Sequence, residues 1–548
     1  MIENPAPGNR LLWLALAGMF LLIVLANISL SLLHGHLAMV PIYDDVNYMA
    51  DALVRLRFSP GSGIQAILAS FIADPPHAPV TTLTGLVGFW LLGPEPIAAY
   101  IANSWVVLVF LLFLAWLSRP MGPSLDRALF IGTFLFVPAV QAMVMEFRPD
   151  LPGGLLLGIA AYLLCVADLP SCSHRRRLGL AAICAVATVT KPSAVILVVP
   201  ALFVAGFAAL AAQWATDRRR LGAASLAMGQ VLIAYAVLMT PFALVWGSQT
   251  AEYVYGVLVT YADVWATAGD SAFHLFYHST GIGGILSLGK FFRNGLVLII
   301  ADLALMAFRR DRRNWRMVAY YAVVAVIYAA MAVSGEKTPY QGSFFYLPFV
   351  VAFAAASVRL IAFIRASGNA ARIIRPALVV ILAFYAYKLP LASYYYGAMP
   401  NAIKLPPIVH EITRRLIDVQ QANLDNPACS KRPLKIVFTD AFPIPTELVR
   451  FEAAKVGVET VVSTTFMSRD LGEMARNADE GDIVLISDPS HVSTSRWLPG
   501  VALNPALYDH LQSWQGAARF DVGSEDGKPQ WLIVNNRCNP DGSLRQSG

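Results

Sequence analysis

Residues 11–45 read LLWLALAGMFLLIVLANISLSLLHGHLAMVPIYDD. The first 23 of them, 11–33, carry no charge, and a helix that crosses a bilayer needs about 20 apolar residues. The run contains no clear small-residue cleavage site, so it reads as a retained anchor rather than a removable signal peptide. Ten further runs of this kind occur near 97–118, 127–145, 151–167, 178–190, 193–213, 221–247, 291–308, 317–334, 344–364 and 375–397, which predicts about eleven transmembrane helices. The runs 151–167 and 178–190 are the shortest.

Composition agrees. Of 548 residues, 57% are hydrophobic and 14% charged, against roughly 25% charged in an ordinary soluble domain. A soluble enzyme is excluded, and 29 Phe, 20 Tyr and 11 Trp exclude a disordered chain. The net charge of +6 is unevenly spread: residues 1–400 hold 26 Lys+Arg and 17 Asp+Glu, the remainder 15 and 18. The reading is a polytopic α-helical membrane domain over 1–400 and a mildly acidic soluble α/β domain over 401–548. The basic residues form no single field, so no nucleic acid is expected as a partner.

Arginines in alternate short loops give the orientation. With the N-terminus inside, Arg10, Arg119, Arg127, Arg175–Arg177, Arg218–Arg220, Arg309, Arg310, Arg312, Arg313, Arg316, Arg359, Arg365, Arg372 and Arg375 all fall on the cytoplasmic side. An odd number of spans then places the C-terminal domain outside. Cys165, Cys172 and Cys184 lie in or beside membrane helices, whereas Cys429 and Cys538 near the ends of the soluble domain are either a disulfide or two separate thiols.

The first outer loop, 34–96, contains two amphipathic patterns. Val46, Met49, Ala50, Leu53 and Val54 recur at helical spacing, as do Ile64, Ile67, Leu68, Phe71 and Ile72. Both stretches are too short to span, so two surface helices are expected, apolar faces toward the membrane, with Asp44, Tyr48, Asp51 and Arg55 facing water. Two readings of Asp44 and Asp45 stand: carboxylates that cap a helix, or an ionised general base. His77, within Asp74-Pro75-Pro76-His77-Ala78-Pro79, is a structural loop histidine or a substrate contact. Glu146-Phe147-Arg148-Pro149-Asp150 is a tight outer turn whose Arg either pairs locally or grips phosphate oxygens. Lys191 opens another such turn. Glu336, Lys337, Tyr340 and Gln341 lie in a last polar turn, 335–343, that suits ligand recognition or simple solvation. His274 and His278, at i and i+4, are weak as a metal pair without a third ligand. Ionisable groups inside the spans are few, chiefly Asp302 and Lys388, which points to chemistry at the outer surface.

Tyr43-Asp44-Asp45, two surface helices, Pro75-Pro76-His77-Ala78-Pro79, Phe147-Arg148-Pro149-Asp150 and Thr190-Lys191-Pro192, in this order over the first 400 residues, resemble the GT-C superfamily of membrane glycosyltransferases. It resembles in particular the protein mannosyltransferase and aminoarabinose transferase-like group. The Trp-Trp-Asp signature of oligosaccharyltransferases is absent, which leaves the branch open. The resemblance implies transfer of a hexosyl or pentosyl group from a polyprenyl-phosphate donor to a glycan, lipid or protein acceptor at the outer face of a bacterial inner membrane. Asp44 or Asp45 would be the catalytic base, with Arg148 and Lys191 as phosphate ligands. Tyr43, Tyr48, His77, Glu146, Asp150, Glu336, Lys337, Tyr340 and Gln341 are the further candidate substrate contacts. No cofactor is certain; a divalent cation, Mg or Mn, is possible within the family's chemistry. The rival class is a transporter or flippase of a lipid-linked substrate, which would require inverted repeats and paired mid-membrane charges; no repeat is evident.

Beyond residue 401, strands are predicted at 435–440, 458–462 and 482–486, helices at 446–456 and 469–478, and a late strand at 531–534. This alternation predicts a small domain with a parallel sheet. No Gly-rich dinucleotide fingerprint follows the first strand, so no nucleotide cofactor is expected. Asp440 and Asp488 at strand ends read as turn residues or glycan contacts.

Overall fold

The computed structural model describes residues 7–41, 43–59, 63–309, 314–366, 371–387, 407–423, 429, 432–440, 446–490, 493, 495–514, 517–522 and 529–535. Arg310, Arg312, Arg313, Lys388 and Cys538 lie outside the described residues, as does the side chain of Tyr43. The chain forms two compact units: one of residues 1–35, 75–84 and 100–399, the other of 36–74, 85–99 and 400–548.

Among the described residues, seven helices are long and apolar enough to cross a bilayer: Arg10–His34, Pro96–Leu117, Pro192–Thr216, Arg218–Thr260, Lys290–Arg309, Trp315–Val333 and Ser343–Ala366. An eighth arises if Ser124–Phe134 and Pro138–Met145, bent by 74°, count as one broken span. The two short runs of the sequence become the 17-residue helices Asp150–Val166 and His174–Thr190, and the last run is described as Ala371–Tyr387.

The first unit is built around two of these elements. Asp150–Val166 and Ser343–Ala366 are buried along most of their length and pack on each other. Glycine makes this possible. A Cβ on Gly154 would lie 2.2 Å from the Ser343 carbonyl oxygen, and one on Gly158 would lie 2.9 Å from Pro348 Cα, so only hydrogen at these two positions admits the facing backbone. The Tyr320 hydroxyl joins the pair, 3.2 Å from the Gly158 carbonyl and 2.9 Å from that of Pro348. Asp302 is fully buried and neutralised: Arg359 binds it at 3.0 Å and Tyr321 donates to it at 2.8 Å. It is half of a fixed ion pair, and Arg359 is held in turn by Asn314 at 2.7 Å.

The second unit contains a five-stranded sheet. Its strands are β1 (Leu434–Phe438), β2 (Thr460–Thr464), β3 (Ile483–Ser487), β4 (Ala518–Asp521) and β5 (Gln530–Val534), in the order β2-β1-β3-β5-β4. β1 is parallel to β2 and β3, whereas β5 is antiparallel to β3 and β4, so the sheet is mixed rather than wholly parallel. Val437, Val484, Ile486 and Ile533 meet Met474, Leu507 and Leu511 from helices on one face. Cys429 is disulfide-bonded, and Cys165, Cys172 and Cys184 are free thiols.

The helix Tyr43–Phe58 corrects the expected surface helix. Val46, Met49, Ala50 and Leu53 are at most 1% exposed, and the helix packs on Thr446–Lys455 of the same unit rather than offering its apolar face to lipid. Tyr48 and Arg55, expected to face water, are each 4% exposed. Arg55 donates to Asp51 (3.1 Å), Ser70 O (2.8 Å) and Asp74 O (2.6 Å), tying this helix to Gly63–Ala73. That second helix does keep an apolar stripe outward: Ile64, Leu68 and Ile72 are exposed.

Candidate active site

Glu146 to Asp150 join Pro138–Met145 to Asp150–Val166. Glu146 is extended (φ −126°, ψ 137°), which ends the first helix, and Pro149 directly precedes the second. The segment is not a solvated turn. Phe147 is completely buried beside Tyr100, and Glu146, Arg148 and Asp150 are at most 6% exposed. Asn103 supports the bend by donating to the carbonyls of Met143 (2.9 Å) and Glu146 (3.1 Å). Sequence reasoning missed Asn103, because a lone Asn at the end of an apolar helix carries no pattern.

Charge is arranged here in two pairs. Arg148 lies over the Tyr340 ring, 4.3 Å from its centroid, and its Nε is 3.9 Å from Glu146. Lys191 donates to Asp150 at 2.6 Å. A small cavity of about 10 Å³ adjoins the first pair, lined by Glu146, Leu151, Ser287, Pro339, Tyr340 and Ser343 among others. The fold thus places Arg148 against both Glu146 and Tyr340, two residues that line this cavity, and Lys191 against Asp150. A guanidinium stacked on a ring has its plane fixed, the orientation needed for two-point recognition of an oxyanion.

The other candidates are distributed differently. Lys337 is buried and gives its ammonium to the carbonyls of Met331 (2.6 Å), Ala332 (3.0 Å) and Ser334 (2.6 Å), so it caps the helix Trp315–Val333 instead of being offered to a ligand. Burial holds its pKa below the ordinary lysine value. Glu336 and Gln341 are half-buried in the same segment. His77 packs its ring 4.7 Å from Tyr253, and Trp246 donates to the Pro76 carbonyl at 3.1 Å, which fixes the Pro-rich segment.

His278, 1% exposed, meets the Tyr346 hydroxyl through Nδ1 at 2.9 Å. Its Nε2 has no hydrogen-bond partner among the described residues. Burial, and secondarily the Lys337 charge, push its pKa down to about 4, so the ring is neutral near pH 7. Among the described residues no three His, Cys, Asp or Glu side chains gather as a metal-binding set, and His274 with His278 does not begin one.

In the second unit the acidic pair is divided. Asp45 is 1% exposed and lies 2.8 Å from His36 Nδ1, itself buried, whereas Asp44 is exposed in the first turn of the same helix. The helix end thus presents one carboxylate to solvent and uses the other internally.

By sequence, no family model matches the chain and no curated protein does. By structure, the chain is similar in fold to solved membrane transferases. The apo ArnT of Cupriavidus metallidurans superposes with a TM-score of 0.54 at 14% identity, covering 97% of this chain and 99% of that one. The same protein bound to undecaprenyl phosphate gives 0.54 at 13% identity, with the same coverage. The oligosaccharyltransferase AglB of Archaeoglobus fulgidus, in complex with an inhibitory peptide and a dolichol-phosphate, gives 0.52 at 10% identity, covering 94% of this chain and 74% of that one. At these identities the likeness establishes the fold.

Proposed function

We propose that the protein is an integral membrane glycosyltransferase that moves a sugar from a polyprenyl-phosphate donor to a glycan, lipid or protein acceptor, with inversion at the anomeric carbon. The observation that carries this reading is the buried Glu146–Arg148–Tyr340 group, in a fold similar to solved proteins that include complexes with a dolichol-phosphate and with undecaprenyl phosphate. Arg148 binds the lipid phosphate and stabilises the charge that grows on it as the sugar departs. Lys191, oriented by Asp150, is the second cation for that phosphate. Glu146 accepts hydrogen bonds from sugar hydroxyls.

Asp44 serves as the base. It takes the proton of the acceptor hydroxyl as the oxygen bonds to the anomeric carbon, while the bond from that carbon to the phosphate oxygen breaks and its electron pair leaves on polyprenyl phosphate. Asp45, engaged by His36, holds the helix end. Among the described residues the donor groups do not assemble a metal site; a requirement for Mg or Mn is tested by adding EDTA to the same assay.

The test uses purified protein in lipid nanodiscs, a polyprenyl-phosphate sugar and envelope-derived acceptors. Asp44→Asn lowers the transfer rate by about 10²-fold or more, and Arg148→Gln impairs both turnover and donor binding. Transfer at the wild-type rate by Asp44→Asn would remove the base assignment. Movement of intact donor between leaflets without transfer would favour the flippase reading.

A further inference from the structure

At the end of the first unit that carries the arginines, the helix Trp105–Leu117 stops at Ser118. The chain turns through Arg119–Met121 and Gly122 (φ 87°) into Ser124–Phe134. The left-handed glycine lets the two helices fold back on each other, and their arginines meet around one space. Arg119 and Arg127 line a cavity of about 310 Å³ whose other walls are Leu12, Trp13, Leu112, Ala115 and Trp116.

The two arginines differ from residues that only mark a membrane side. Arg127 is 9% exposed, its Nε donating to Ser118 Oγ at 3.3 Å and its Nη2 to the Ala115 carbonyl at 2.6 Å. Arg119 is exposed at the cavity rim. Neither has a carboxylate partner among the described residues. The neighbouring carboxylate, Asp126, is held by Arg365 and by Arg375, the latter at 2.7 Å. Arg119 and Arg127 therefore bring two guanidinium groups to a cavity whose lining holds no carboxylate. Like charges beside a partly desolvated cavity repel more strongly than they would in water, and an anion placed between Arg119 and Arg127 removes that cost.

The walls decide which anion. Trp13, Leu112 and Trp116 are 51%, 43% and 39% exposed, apolar surface facing outward from a helix bundle that spans a bilayer. Tryptophans at this level belong at the interface between headgroups and acyl chains. A small soluble anion would leave these walls unused, whereas a phospholipid satisfies both parts of the cavity.

We propose that this cavity binds an anionic phospholipid, its phosphate between Arg119 and Arg127 and an acyl chain along Leu12, Trp13, Leu112 and Trp116. The site is structural or regulatory, lies apart from the Glu146–Arg148 group, and stands whatever sugar the protein transfers.

Native mass spectrometry of the full-length protein in detergent tests it, with phosphatidylglycerol, phosphatidylcholine and inorganic phosphate as probes. Phosphatidylglycerol should bind at least about fivefold more tightly than phosphatidylcholine, and Arg119→Gln should abolish most of that preference. Arg119 makes no side-chain hydrogen bond among the described residues, so this variant folds even where Arg127→Gln does not. Arg219→Gln, which removes an equal charge from the exposed Arg218–Arg220 segment, should leave the preference intact. Equal binding of the two lipids, or equal losses in the two variants, would overturn the proposal in favour of a diffuse basic surface. Full displacement of phosphatidylglycerol by millimolar inorganic phosphate would overturn it in favour of a plain phosphate site.

Discussion

Asp44 and Asp45 are adjacent in sequence, yet one is exposed and the other is buried against His36. Their substitutions should separate accordingly. Asp45→Asn weakens a buried pair and should destabilise the second unit by about 3 kcal/mol, visible as a lowered denaturation midpoint, while Asp44→Asn should leave that midpoint in place and abolish transfer. His278 supplies a pH signature. Its folded pKa, near 4, lies below the ordinary value of 6.5, so the unfolded chain takes up a proton first as pH falls. The stability His278 contributes is complete above pH 6.5 and is lost between about 6.5 and 4, by roughly 3 kcal/mol in all; a thermal melt series in detergent should show this slope, and His278→Gln should flatten it. The sequence made the acidic pair, Arg148 and Lys191 visible because charges in the short connections of an apolar chain stand out. It did not reveal that His36 selects Asp45, or that Lys337 caps a helix, since both depend on contacts made only when the backbone folds.

Among elements, the contact of Asp150–Val166 with Ser343–Ala366 has the least tolerance. Gly154→Ala would drive a methyl group into the Ser343 carbonyl, and the expected result is a large loss of folded protein in a detergent thermostability assay. Gly179→Ala, in a helix where a Cβ meets nothing within 4 Å, should be neutral or slightly stabilising. The helix 150–166 was legible as an apolar run, but its role was not, because glycines that enable close packing also weaken a hydropathy signal. The 43–58 helix carried a similar ambiguity. Its periodicity identified the buried face, while the partner proved to be Thr446–Lys455, and an amphipathic pattern does not distinguish a protein surface from a bilayer. In the sheet, alternating strands and helices indicated β1, β2 and β3; the antiparallel β5 follows from a connection whose direction no local pattern encodes.

For the whole molecule, the arginine asymmetry read from the sequence remains the basis for orientation, although several of these residues also have structural work: Arg316 binds Asp168 at 2.9 Å, and Arg359 binds Asp302. An alkaline phosphatase fusion after residue 548 should be active if the C-terminal domain lies outside, and a fluorescent-protein fusion at the same point should be dark in a secreted state. We propose that this protein breaks the bond between a sugar and polyprenyl phosphate. The direct measurement is release of polyprenyl phosphate from a labelled polyprenyl-phosphate sugar by the purified protein with envelope acceptors. Release should be matched mole for mole by labelled acceptor and lost in Asp44→Asn. Donor recovered intact with every acceptor fraction, by a protein that nevertheless binds it, would contradict the account.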